Sequence, residues 1–138
     1  MPLRRNVKVM LIGGVPLFAN CSKSELSRIA TVADELDVAE GHTIIREGER
    51  GREFFVIASG SVRVTRKGRT LRELGSGEWV GEISLISDVP RTATVVTTAP
   101  TRLLVVTDRD FRNVLRQAPT IAIKLLDTLA ERLRVTDA

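Results

Sequence analysis

Apolar residues recur at different spacings along the chain, and the changes of spacing divide it into three parts. Leu26, Ile29, Ala30 and Ala33 follow the three-to-four-residue period of a helix, and Ser22 with Glu25 makes the capping box that starts one. A helix over about Ser22 to Ala33 is therefore predicted, within an N-terminal helical part of about residues 1–34. From there to Thr107 the apolar runs are short and separated by turn residues. They predict strands at Leu36 to Ala39, Thr43 to Arg46, Glu53 to Ser59, Ser61 to Lys67, Arg69 to Leu74, Thr92 to Thr98 and Thr101 to Thr107. Val62 and Val64 alternate with polar residues as in a half-buried strand, and Lys67-Gly68 reads as a hairpin tip. So many short strands predict a sandwich or a jelly-roll barrel over residues 35–107. From Asp108, taken as an N-cap, the period is helical again: Phe111, Val114 and Leu115 form one stripe, and Pro119 ends or redirects that helix. A second helix runs to about Val135, with Ala122, Leu125, Leu126, Leu129 and Leu133 expected on one face.

Composition narrows the classes of function. The 138 residues suit one domain, and 43% hydrophobic with 28% charged is an ordinary globular balance. The formal charge of +4 is spread over Arg46 to Arg72 and Arg102 to Arg116, and aromatics are only 4%, so nucleic-acid binding by this chain alone is not expected. Cys21 is the only cysteine, which excludes an internal disulfide and a cysteine zinc cluster and fits a reducing, cytoplasmic setting. Val7 to Ala19 after Arg4-Arg5 has the look of a signal peptide running into Cys21. Lys8, Gly13-Gly14 and Pro16 break that run, Asn20 suits no lipid-modified cysteine, and the stretch reads as an ordinary N-terminal helix. No stretch approaches the roughly 20 apolar residues of a membrane span. His42, the only histidine, has no mate and reads as a surface residue of a turn, which leaves the serines without a base and argues against a histidine-rich metal enzyme. The chain is read as non-enzymatic, with no metal and no cofactor.

The chemistry concentrates in GEISLISDVPRTATV, Gly81 to Val95. Glu82 is an ionised acceptor suited to hydroxyls, and Arg91 is a planar fork of donors suited to a phosphate. Ile83, Leu85 and Ile86 form an apolar turn between them, and the Gly-Glu step reads as the start of a short helix whose free N–H groups favour an anion. Glu82 and Arg91 could instead pair with each other and bind nothing. Upstream, Ile44 to Gly60 reads IIREGERGREFFVIASG, two apolar stretches around a glycine-rich turn.

Together these segments resemble the cyclic nucleotide-binding domain family, the module of protein kinase A regulatory subunits, catabolite activator proteins and cyclic nucleotide-gated channels. The resemblance runs from VPLF at Val15 to AERLRVT ending at Thr136, with Val80 where an aromatic is usual and Ser84 where alanine is usual. It implies a mainly β fold with flanking helices: a jelly-roll barrel with an N-terminal helix and two C-terminal helices, the latter (residues 108–138) acting as a lid. It implies that Glu82 binds the ribose 2′-hydroxyl and Arg91 the cyclic phosphate, with Gly81, Ile83, Ser84, Thr92 and Ala93 completing the core of the site. Backbone N–H groups around Ser84 and Thr92 would cradle the phosphate. The base pocket is assigned to Val64 and Leu71 from the strands and Leu133 from the lid. Thr136 stands where a threonine of catabolite activator proteins reaches adenine. Thr92 stands where cyclic GMP-dependent kinases use a threonine to select guanine, yet its hydroxyl also suits the phosphate, and cyclic AMP is the ligand favoured. The family resemblance makes the chain a regulatory sensor whose effector lies in a partner or a further segment. A homodimer through Leu126 and Leu133 and a protein-interaction domain without ligand are the other readings carried forward.

Overall fold

A computed structural model of the chain describes residues 1–136, with side chains through Arg134. Among the described residues eight strands occur: β1 (Asp34–Val38), β2 (Thr43–Ile45), β3 (Glu53–Ser59), β4 (Ser61–Arg66), β5 (Arg69–Gly75), β6 (Trp79–Val80), β7 (Thr94–Thr97) and β8 (Thr101–Thr107). They form two antiparallel four-stranded sheets, ordered β1-β8-β3-β6 and β2-β7-β4-β5, which is the mainly β jelly-roll arrangement expected. Every strand read from the sequence has a counterpart, shifted at its ends by up to two residues. β6, only two residues long, carries too little pattern to be recognised beforehand.

The apolar runs of the central strands have two destinations. β3 is buried almost continuously because both of its faces are covered. Phe55 and Ile57 turn inward between the sheets to meet Ile45, Val62, Val64, Leu74, Val80, Val95 and Leu103. Phe54 and Val56 turn outward, with Leu104 and Val106 of β8, to pack on the helices through Phe18, Ile29, Phe111, Ile121 and Leu125. Phe18 anchors that layer, with its ring centroid 5.9 Å from Phe54 and 5.8 Å from Phe111.

The N-terminal part holds α1 (Arg5–Gly13), where the run Val7 to Ala19 was read as an N-terminal helix, and α2 (Lys23–Thr31), where the capping box predicted one, joined through a 3₁₀ turn at Pro16–Phe18. Gly13-Gly14 and Pro16, which break the apolar run in sequence, end α1 and shape that turn. The predicted capping box of α2 is present: the Ser22 hydroxyl accepts from the Glu25 N–H and the Glu25 carboxylate from the Ser22 N–H. At the other end α3 (Asp108–Gln117) is capped by Thr107 and not by Asp108, because the Thr107 hydroxyl accepts the Asp110 N–H at 3.1 Å. α4 (Pro119–Thr136) follows after Ala118. Its buried stripe is Ile121, Leu125 and Thr128, whereas Leu126 and Leu133 are 65% and 69% exposed, so the five residues assigned to one face do not share it. No helix among the described residues is long and apolar enough to cross a membrane.

Candidate functional site

The segment between β6 and β7 is built around Arg91. Gly81 takes φ +85°, a left-handed conformation that lets the chain turn from β6 directly into a 3₁₀ turn at Glu82–Leu85. The turn buries Ser84, whose Oγ accepts from Arg91 Nη1 at 2.7 Å, while Arg91 Nη2 donates to the Glu53 carbonyl at 2.5 Å. Two glycines give the guanidinium its space: a Cβ on Gly51 would stand 1.8 Å from Arg91 Nε, and one on Gly81 would stand 2.5 Å from Nη1. The backbone is braced by the loop between β2 and β3. Gly48 N–H donates to the Arg91 carbonyl and Arg91 N–H to the Glu49 carbonyl, both at 2.8 Å, and Arg50 pairs with Asp88 at 2.6 Å. Thus the glycine-rich turn upstream and the Pro-Arg segment downstream form one structure.

Arg91 has no carboxylate within ion-pair distance among the described residues. Its hydrogen-bond acceptors are a hydroxyl and a carbonyl, both neutral. Burial pushes its pKa below the ordinary arginine value, partly offset by the charge of Glu53. An arginine stays protonated through such a shift, so the site holds a partly desolvated cation with no carboxylate in ion-pair distance among the described residues. Glu82 does not supply one. Its Oε2 accepts from Trp79 Nε1 at 2.9 Å, which disposes of the alternative in which Glu82 and Arg91 merely pair with each other.

Arg91 and Glu82 share the wall of a cavity of about 290 Å³. Gly81, Ile83, Ser84, Thr92 and Ala93, all named from the sequence, lie on that wall, as does Val64 on the strand side. The Ser84 N–H, expected in a phosphate cradle, donates to the Gly81 carbonyl at 3.1 Å. Leu71 is not on the wall; it is 49% exposed, and Arg72 lines the cavity in its place. The cause is a β-bulge. Arg66↔Arg69 and Thr65↔Thr70 pair in the register of a two-residue hairpin, but Val64 pairs with Arg72, leaving Leu71 as the extra residue. Leu133 is not on the wall either, nor is any other residue of α4, and the side chain of Thr136 lies outside the described residues.

Sequence reasoning passed over Trp79, Arg72, Gly51 and the Glu53 carbonyl. Trp79 could have been found from its place three residues before Glu82, as the only tryptophan in the chain. The others depend on register and on contacts between segments far apart in sequence. His42 is exposed, as read, and its backbone pairs with Thr97. Among the described residues no group of three or more His, Cys, Asp or Glu side chains is placed to hold a metal ion.

The sequence profile described as cyclic nucleotide-binding domain matches residues 35–118. The cGMP-dependent protein kinase egl-4 of Caenorhabditis briggsae is 36% identical over 113 residues, which cover 78% of this chain and 15% of the kinase. The cyclic AMP receptor protein of Thermus thermophilus is 33% identical over 129 residues, 90% of this chain and 60% of the receptor. This chain therefore corresponds to only part of either relative. Among solved structures, the N-terminal domain of a transcriptional regulator from Streptomyces coelicolor superposes with a TM-score of 0.85 at 30% identity, covering 91% of this chain and 94% of that one.

Proposed function

The chain belongs to the cyclic nucleotide-binding domain family, a family of regulatory, non-catalytic modules, and we propose that it senses a cyclic nucleoside monophosphate held between Glu82 and Arg91. The observation that carries this reading is Arg91: a half-buried cation, held by two neutral oxygens at the wall of an open cavity, is a site prepared for an anion. A cyclic phosphate supplies one negative charge there, the free oxygen of Glu82 accepts from the ribose 2′-hydroxyl, and Ile45, Val64, Ala93 and Val95 offer an apolar bed for the base. The open cavity speaks against the alternative of an interaction domain with a blocked pocket.

Cyclic AMP is the ligand we propose first, since an apolar bed suits adenine. Cyclic GMP is a second reading with one observation in its favour. Arg72 lines the cavity and its side chain has no hydrogen-bond or ion-pair partner among the described residues, and an arginine fork matches the O6 and N7 acceptors of guanine. The output is carried by a partner or segment outside this chain, and binding biases the C-terminal helices toward a closed arrangement that the effector reads.

Calorimetric titration with each nucleotide tests the assignment. Arg91→Ala is expected to lose about 2–5 kcal/mol of binding while the fold survives, and an unchanged dissociation constant overturns the site. Glu82→Ala loses less, and only with ligands that keep the 2′-hydroxyl. Arg72→Ala separates the bases: a loss confined to cyclic GMP supports guanine readout, and an equal effect on both ligands removes it.

A further inference from the structure

Glu82 is held by one contact. Among the described residues its side chain's only hydrogen bond or ion pair is with the indole N–H of Trp79, 2.9 Å from Oε2. Trp79 is itself well fixed. It pairs with Val56 across β6 and β3, its ring packs against the helix-side core, and its remaining surface lines the cavity beside Glu82. A carboxylate on a short 3₁₀ turn, with no cation in ion-pair distance among the described residues, has every reason to rotate toward water. A donor on a rigid ring opposes that rotation, and a hydrogen bond to a charged acceptor is worth more than one between neutral groups.

We infer that Trp79 is a positioning residue for ligand recognition: it anchors Oε2 of Glu82 and so fixes the direction in which the carboxylate meets the sugar hydroxyl of the bound nucleotide. The inference rests on the reading of Glu82 as the ribose acceptor and adds two things to it. Discrimination for a 2′-hydroxyl depends on a residue that need not touch the ligand. The carboxylate is also held in one orientation, so it meets a hydroxyl at a defined place.

The test is Trp79→Phe, which keeps a packed ring and removes only the donor. Dissociation constants are measured for a cyclic nucleotide and for its 2′-deoxy analogue, with thermal melting as the check of folding. Wild type should prefer the ribose form. Trp79→Phe should weaken the ribose form about tenfold and leave the deoxy form unchanged, so that the preference collapses. In a Glu82→Ala background the same substitution should add nothing, because Trp79 acts through that carboxylate. This second comparison remains informative if the single variant melts lower.

The outcomes separate the inference from the reading beneath it. If wild type binds neither nucleotide, or binds ribose and deoxy forms equally, the role of Glu82 fails and the inference falls with it. If wild type prefers the ribose form and Trp79→Phe retains that preference, or weakens both ligands alike, the site stands and only the positioning role is overturned.

Discussion

Arg91 sits in a slot that two glycines leave open, and this determines what the smallest substitution there does. Gly51 is buried, and a methyl group on it would overlap the Arg91 side chain at Nε and Cζ. That side chain is the flexible partner in the clash, so Gly51→Ala should displace the guanidinium and leave the strands in place. We expect it to lower nucleotide affinity nearly as much as Arg91→Ala, by about 2–5 kcal/mol, with a melting temperature close to wild type. Isothermal titration beside a thermal melt checks this; strong destabilisation with intact binding would show that the backbone yields first. The same substitution marks where sequence reading stops. Glu82 and Arg91 stood out as candidates because their chemistry and spacing lie within one short segment, whereas Ser84 was named from the family resemblance for its backbone and meets Arg91 through its hydroxyl. Gly51 carries no chemistry of its own, and its role is set by a contact across forty positions. Arg72 was hidden by a bulge of one residue: perfect hairpin register opposes Val64 with Leu71, and no rule of composition reveals that Leu71 is the residue skipped.

Among the elements, α4 is fixed to the N-terminal helices by polar contacts that no apolar stripe announces. Lys124 Nζ donates to Glu25 Oε1 at 3.0 Å, and Asn20 Nδ2 donates to the Thr128 hydroxyl at 2.9 Å. This explains why the face of α4 was misjudged. Thr128, a polar residue, is buried at the contact, while Leu126, which hydropathy would bury, faces water. Glu25 also closes the capping box of α2, so one carboxylate joins two helices. Its pKa is lowered from an ordinary 4.5 to about 2, first by the Ser22 backbone N–H, then by the Thr120 hydroxyl and Lys124, against the opposing effect of burial. Because the folded value is the lower one, the stabilisation is fully present above about pH 4.5 and is lost as pH falls through about 2. Replacing Glu25 with glutamine should therefore lower stability at neutral pH and flatten the acid limb of the profile in that window. Urea midpoints measured across pH would show this, and a parallel shift of the whole profile would mean that the carboxylate's charge is not what joins α2 to α4.

For the whole molecule, two of the apolar regions exposed to water bear on how binding could be transmitted. Ile83 and Val89 are exposed at the cavity wall, and Ile123, Leu126 and Leu133 are exposed along α4, whose other side is held by Asn20 and Glu25. A nucleotide seated on Arg91 would cover part of the first region and extend it with a flat base. We expect the end of α4 to cover what remains, with Ala118-Pro119 as the bend between α3 and α4. We expect ligand to slow tryptic cleavage within residues 125–136 severalfold, and Leu133→Ala to reduce that protection without abolishing binding; cleavage that ligand leaves unchanged would make this a passive binding module. Protein concentration separates the two ways of covering α4. Residues 123, 126, 130 and 133 repeat at spacings of three, four and three, the seam that two copies of a helix share. Protection that is the same at low and high protein concentration belongs to a lid closing on its own pocket. Protection that grows with concentration, in parallel with a dimer in sedimentation, belongs to a second copy lying along α4, with the nucleotide strengthening the pair only in so far as it binds the paired form more tightly.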